Sequence, residues 1–245
     1  MSGIPNILLL GYGVHDSLQL TVETQQLLAR YGSAYTIGLP PALARYLKSL
    51  RVNVTDLADR MEPGRSFVDA YLDIANFLLE RTASELPVVL LCPGNPLATN
   101  AIARYLAMAG PRHGLIVQAV PGVSQLDLII SAIGLDVSTF GLQVFDATRL
   151  VERGQAPNAA VPLIVLNAGG FGMAQVPGDA SAPQLAPLAH SLGNIYPAGH
   201  PIVVVNVEVS PPGIALAHTT VEGLAVGGGI QQGGHLFIDA VRTSA

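Results

Sequence analysis

The chain has 245 residues, enough for one large or two mid-sized domains, and its net charge of −5 with no basic run argues against nucleic acid as a partner. Charged residues make up only 12% and hydrophobic ones 50%, yet every apolar run falls well short of a membrane span, so some apolar surface is expected to lie hidden in a homo-oligomer. The single cysteine, Cys92, excludes an internal disulfide and a cysteine-rich metal site, and residues 1–5 are no signal peptide, so a cytoplasmic protein is expected.

In chain order, residues 7–10 read as a buried strand running into the tight turn Gly11-Tyr12-Gly13. Thr21 caps the next helix, with Glu23 in its first turn and Gly32 just past its end. Residues 34–37 read as a strand and residues 41–50 as a helix opened by Pro41. Phe67, Ala70, Tyr71, Ile74, Phe77 and Leu78 fall at helical spacing and predict an amphipathic helix over residues 66–82.

Residues 88–92 are a continuous apolar run that stops at Pro93-Gly94-Asn95-Pro96, as a buried parallel strand does at its carboxyl end, where open α/β sheets place ligands. A helix over residues 98–109 closed by Gly110 follows, then a strand over residues 115–120 ending in Pro121-Gly122-Val123-Ser124. Ser124 with Asp127 three residues on matches a capping box ahead of Leu128, Ile129, Ile130 and Ile133, with Gly134 as the stop. Residues 136–140 and 155–161 read as loops. Strands are expected over residues 142–145, 163–167, 202–209 and 235–239, a helix over 184–192, a loop over 173–183 and a glycine-rich turn over 225–234. Strand–helix alternation in the first half predicts α/β architecture in two domains, residues 1–112 and 113–245.

Gly11-Tyr12-Gly13 lacks the third glycine of a dinucleotide fingerprint, and Val14-His15-Asp16 stands where that motif's helix would begin. No glycine-rich stretch leads into Lys and Ser or Thr, so there is no P-loop, and no Gly-x-Ser-x-Gly elbow is present. The six histidines have no metal-ligand spacing, so no metal is expected. Ser124 reads as a helix cap rather than a nucleophile. By spacing alone Tyr71 is a core tyrosine and Arg65 a surface charge ahead of a helix.

The succession of Gly11-Tyr12-Gly13, Leu20-Thr21, Pro93-Gly94-Asn95-Pro96, Val120-Pro121-Gly122-Val123-Ser124 and Ile133-Gly134-Leu135-Asp136 resembles the tetrapyrrole methylase superfamily of S-adenosylmethionine (SAM) dependent methyltransferases. Gly64-Arg65, Phe145-Asp146-Ala147-Thr148, Leu166-Asn167-Ala168-Gly169 and His200-Pro201-Ile202-Val203-Val204 running to Ser210-Pro211 narrow the similarity to the borosin-type peptide backbone α-N-methyltransferases. The resemblance covers nearly the whole chain. It implies two α/β domains with SAM in the cleft between them, S-adenosylhomocysteine (SAH) as product, and a homodimer.

Carried over by position, the cofactor residues are Cys92, Gly94, Asn95, Pro96, Leu97, Ser124, Gln125, Asn167, Ser210 and Thr219, and Arg65 and Tyr71 match the family's catalytic Arg and Tyr. The Arg65 to Tyr71 spacing is longer than the family's. Where borosins carry Tyr-Gly-His-Pro this chain has Cys92-Pro93-Gly94-Asn95-Pro96, which removes an aromatic and a histidine. Fused borosin precursors carry their core peptide on a C-terminal extension, and with only residues 241–245 after the last expected strand, the acceptor is expected to be a separate precursor peptide. Two rival expectations are C- or O-methylation of a tetrapyrrole-like or other small molecule, and a non-catalytic SAM-binding partner subunit. With 12 basic residues and no evident cluster, the chain is a poor receptor for a polycarboxylate tetrapyrrole.

Overall fold

A computed structural model describes residues 4–15, 19–177, 184–207 and 213–241. The chain divides into two compact units between Asp127 and Leu128. This division lies beyond the boundary expected at residue 112, and strand pairing gives the reason. The strand that follows residue 112 aligns Val117 with Ile7 and closes the first sheet, so the turn ending in Ser124 belongs to the first unit.

The first unit is built on the strands β1 (Ile7–Gly11), β2 (Ser33–Thr36), β3 (Asn53–Asp56), β4 (Val88–Cys92) and β5 (Val117–Val120). They form one sheet in the order β3-β2-β4-β1-β5, and every pairing is parallel. The connecting helices α1 (Val22–Tyr31), α2 (Pro41–Ser49), α3 (Phe67–Arg81) and α4 (Ala101–Ala109) cover both faces. On one face Ile7, Leu9, Val88 and Leu90 pack against Ile74 and Leu78 of α3 and Ile102 and Leu106 of α4. On the other, Leu8, Leu10, Val89 and Leu91 meet Leu28 of α1 and Leu43 and Leu47 of α2. Burial on both faces is the physical reason β1 and β4 are apolar without alternation.

The helix termini follow their letters. Thr21 Oγ1 accepts the Thr24 N–H at 3.1 Å, and Gly32 closes α1 in the left-handed region with its N–H on the Leu28 carbonyl. Asn100 Oδ1 accepts the Ala103 N–H at 2.9 Å, so α4 begins at Ala101, three residues later than expected. The capping box forms at the start of α5 (Gln125–Ile133): Asp127 Oδ2 accepts from Ser124 N–H and Oγ, each at 2.7 Å.

The second unit carries a mixed sheet in the order β6-β7-β10-β8-β9. Its strands are β6 (Gln143–Asp146), β7 (Leu163–Leu166), β8 (Pro201–Val207), β9 (Ile214–Thr220) and β10 (Gly234–Ile238). Among the described residues, β6 and β7 pair in parallel and the other pairings of this sheet are antiparallel. Leu163, Val165, Ile202, Val204, Leu236 and Ile238 turn one face toward α7 (Ala147–Glu152) and α8 (Ala186–Gly193).

Residues 136–140, expected as a loop, contain a single helical turn, α6 (Val137–Phe140). The Asp136 carboxylate caps this turn, accepting from the Ser138 and Thr139 hydroxyls at 2.6 Å each, and these bonds hold that carboxyl down at about 2. Strands β3 and β9 and helix α7 are absent from the expectations. Parts of the expected 173–183 loop and 202–209 strand lie outside the described residues.

Candidate active site

In the first sheet the chain leaves β1 for α1 on one face and leaves adjacent β4 for α4 on the opposite face. The carboxyl ends of β1 and β4 therefore form a topological switch point, the place where open parallel sheets leave a crevice. Three turns meet there. Gly94 N–H donates to the Gly13 carbonyl at 2.9 Å, Tyr12 N–H donates to the Cys92 carbonyl at 2.9 Å, and Gly122 packs against the backbone of Gly11.

The approach is close enough to demand glycine. A Cβ on Gly11 would collide with the Gly94 carbonyl and the Gly122 backbone nitrogen, and one on Gly122 would lie 2.8–2.9 Å from backbone atoms of Gly11 and Gly13. Thr24 Oγ1 braces this assembly from α1 by donating to the Gly11 carbonyl at 3.2 Å. The Gly13 turn is tied down by Gln19, whose Oε1 accepts from Val14 and His15 N–H at 2.8 and 3.0 Å. A Rossmann-type turn would start its helix at this point; here α1 begins only at Val22.

Gly94 itself, at φ +63°, faces Ser124 and Gln125. A Cβ there would reach 3.2 Å from Gln125 Oε1 and 3.5 Å from Ser124 Cα, so the absence of a side chain keeps the space between the two turns open. The structure thus brings together three residues expected at the cofactor: Gly94, Ser124 and Gln125. Asn95 Oδ1 accepts the Leu97 N–H at 3.0 Å and shapes the same turn, Pro96 is buried behind it, and Leu97 is exposed. Cys92 is different. Its thiol is fully buried against α3 and α4, and burial pushes it up to about 12, so no side-chain atom of Cys92 reaches the turn surface.

Two further expected cofactor residues belong to the second unit. Asn167 follows β7 in the left-handed region at φ 59°; its N–H donates to His235 Nδ1 at 3.1 Å and its side-chain amide to Asp146 Oδ2 at 2.9 Å. Thr219 lies half-buried in β9 under the glycines 223 and 228. Ser210 lies outside the described residues.

The expected catalytic pair is not in hydrogen-bond contact. Arg65 precedes α3 and is held by Asp73 at 3.7 Å and by the carbonyls of Arg60 and Asp69 at 3.3 and 3.5 Å. Asp73 also pairs with Arg60 at 2.9 Å, and Arg60 stacks 4.2 Å over the Phe77 ring, so the Arg65 guanidinium sits in a fixed frame rather than waving in solvent.

Tyr71, one helical turn into α3, packs beside Phe67 with ring centroids 5.6 Å apart and lines a cavity of about 240 Å³. Burial raises its hydroxyl above the ordinary tyrosine value. The wall opposite comes from Pro93 of the Gly94 turn and from Thr99, Asn100, Ala101 and Ile102 at the start of α4, with Ile37, Met61 and Leu91 completing it. Leu91 and Pro93 belong to the stretch expected to end at a ligand crevice, whereas the others were not expected at a site. Asn100 carries a sequence signal, but as a helix cap; Ile37 and Met61 carry none, because only tertiary structure brings residues this far apart in the chain to one cavity.

The surface so assembled can do two things. At Gly94 the main chain can be approached without a side chain in the way, beside the Ser124 and Gln125 turn. The adjoining cavity, lined by apolar side chains with Tyr71 as its ionisable group, suits an uncharged group.

The Tetrapyrrole (Corrin/Porphyrin) Methylases family matches residues 6–224. The methyltransferase/ribosomally synthesized cyclic peptide dendrothelin A precursor of Dendrothele bispora is 25% identical over 170 residues, covering 69% of this chain. The chain spans about 40% of the length of that relative. Among solved structures, a uroporphyrin-III-C-methyltransferase from Thermus thermophilus superposes with a TM-score of 0.67 at 20% identity, covering 98% of this chain and 94% of its own. The same enzyme complexed with S-adenyl homocysteine superposes with a TM-score of 0.65 over 96% of this chain and 97% of its own, also at 20% identity. At that identity the two structures establish the fold. With the family match running across both units, the chain belongs to the tetrapyrrole methylase family of SAM-dependent methyltransferases.

Proposed function

We propose that this protein methylates backbone amide nitrogens of a precursor peptide supplied as a separate chain, working as a homodimer. The observation that carries the reading is Tyr71 on the wall of an apolar cavity that opens beside the Pro93-Gly94 turn. An amide acceptor is uncharged and its flanking side chains can be apolar, which suits such a wall, whereas a polycarboxylate ring would require cations that the cavity lining lacks. Similarity to a methyltransferase fused to a cyclic-peptide precursor supports the peptide class, and the apolar composition supports the dimer.

The cofactor supplies an electrophilic methyl group on a sulfonium. The protein's own residues have to align the acceptor, keep water out and manage one proton. A backbone amide is a poor nucleophile and must lose its N–H proton as it attacks. The N–H proton passes to the Tyr71 hydroxyl oxygen as that hydroxyl, kept protonated by burial, hands its own proton to water at the cavity mouth, and Arg65, fixed by Asp73 and two carbonyls, stabilises the negative charge that develops on the amide oxygen.

The experiment is methyl transfer from SAM to candidate precursor peptides, read by mass and by tandem fragmentation. Methyl groups on backbone nitrogens are expected. Arg65→Lys keeps the charge but loses the fork geometry, and together with Tyr71→Phe it should lower turnover by about 10²-fold or more with SAH affinity intact. Full turnover in both variants would remove these roles. Transfer only to a small ring substrate would favour C- or O-methylation, and SAH binding without any transfer would favour a non-catalytic partner subunit.

A further inference from the structure

We propose that the cavity beside Tyr71 receives the side chain of the acceptor residue and selects one uncharged aliphatic side chain. The inference rests on the peptide reading and adds to it the chemistry of the residue to be methylated.

Size is the first argument. A cavity of about 240 Å³ exceeds the roughly 150 Å³ that accommodates benzene, and it falls below the roughly 300 Å³ at which pockets for whole drug-sized ligands begin. It holds one side chain and no macrocycle. Chemistry is the second. Ile37, Met61, Leu91, Pro93 and Ile102 provide an apolar wall, and no lining residue is ionisable except the tyrosine itself. The polar side-chain groups are few: Asn100 has committed its Oδ1 to the Ala103 N–H, which leaves Thr99, the Asn100 amide nitrogen and the Tyr71 hydroxyl for hydrogen bonds. A carboxylate or ammonium entering here would shed water with no opposite charge to meet it. Neither Arg60 nor Arg65 lines this cavity; both are turned to Asp73, and the Arg65 charge that meets the amide oxygen lies outside the side-chain pocket.

Position is the third argument. The cavity shares Pro93 with the turn that presents Gly94 to Ser124 and Gln125, so an acceptor anchored by its side chain is held next to the proposed cofactor cradle. Met61 on this wall is unbranched and half-buried, and it can adjust to valine, leucine or isoleucine.

The test reads the cavity directly. The chain has four methionines, and Met61 is the one that lines the cavity among those described, while Met108 is exposed and serves as a control. SAH-loaded protein carrying methyl-labelled methionine is titrated with the N-acetyl methylamides of valine, leucine, aspartate and lysine. The valine and leucine compounds should shift the Met61 signal saturably and leave Met108 unmoved, and the charged pair should bind about tenfold more weakly or worse. Ala101→Leu narrows the mouth with a good helix former at the first position of α4 and should weaken the aliphatic compounds about tenfold, with SAH affinity as the check on folding.

Equal response to charged and aliphatic compounds, or a Met61 signal unmoved by all four while SAH binds, would overturn the inference. A Met61 response as expected, in a protein that methylates no peptide, would overturn the peptide reading and leave the cavity's aliphatic selectivity standing.

Discussion

His235 shows how much one buried side chain can hold. It is 2% exposed in β10, its Nδ1 accepts the Asn167 N–H, and its Nε2 is buried with no hydrogen-bond partner among the described residues. The proton of the neutral ring therefore sits on Nε2, and burial pushes the imidazole down from 6.5 to about 4. The unfolded chain takes up this proton first, so between pH 6.5 and 4 it binds more protons than the folded chain and stability rises with pH. The contribution is complete above pH 6.5 and fades through that window to a loss of about 3 kcal/mol near its lower end. Chemical denaturation at stepped pH should show this slope in the native protein and not in His235→Gln, whose amide oxygen can accept the same N–H without titrating. An equal slope in both would refute it. Nothing in the letters around His235 announces this role, because its partner Asn167 is 68 residues away. The turn at Gly94 and the cap at Ser124 are legible because turn glycines and helix caps carry local signals, whereas their expected place at the cofactor, and that of Gln125, came from the family resemblance. Cys92 adjoins the Gly94 turn in sequence and meets it only through its backbone, since its thiol points into the core.

At the scale of elements, the three glycine turns act as one unit because main chain touches main chain. Gly11→Ala should force the β1 and β4 turns apart and cost several kcal/mol, about 3 or more, since backbone cannot yield as a side chain can. Thr21→Ala, which removes only the cap of α1, should cost about 1 kcal/mol. Thermal or urea unfolding of the two variants tests the ranking, and a milder loss in Gly11→Ala than in Thr21→Ala would contradict it. The same distinction explains what was readable. Strands buried on both faces and helices with caps announce themselves: β1, β4, α1 and α3 lie within a residue or so of their expected limits. The edge strands do not. In β3 the sequence Asn-Val-Thr-Asp has one half-buried face, and β9 is mostly alanine, threonine and partly exposed positions, so neither has the apolar density that marks a strand. Helix α7 follows β6 without a break, its cap Asp146 being the last residue of that strand, and one turn of α6 is too short for periodicity to register.

At the scale of the whole molecule, an all-parallel sheet and a mixed sheet are each a compact unit, and the family match spans both. With half of its residues hydrophobic and large apolar side chains such as Val22, Val68, Met108 and Val226 exposed, the chain is expected to sediment with the mass of a dimer. A monomer mass that persists across concentration would contradict the proposed assembly. The central claim is narrower and stands before any question of acceptor: the Gly94 cradle binds the SAM family of ligands. Calorimetric titration of the purified protein with SAH, beside the variant Gly94→Val, tests it most directly. The account predicts saturable micromolar binding to the native protein and at least about tenfold weaker binding to a folded variant, because a side chain at position 94 occupies the space before Ser124 and Gln125. Absence of binding by the folded native protein, or equal affinity in the variant, would contradict it.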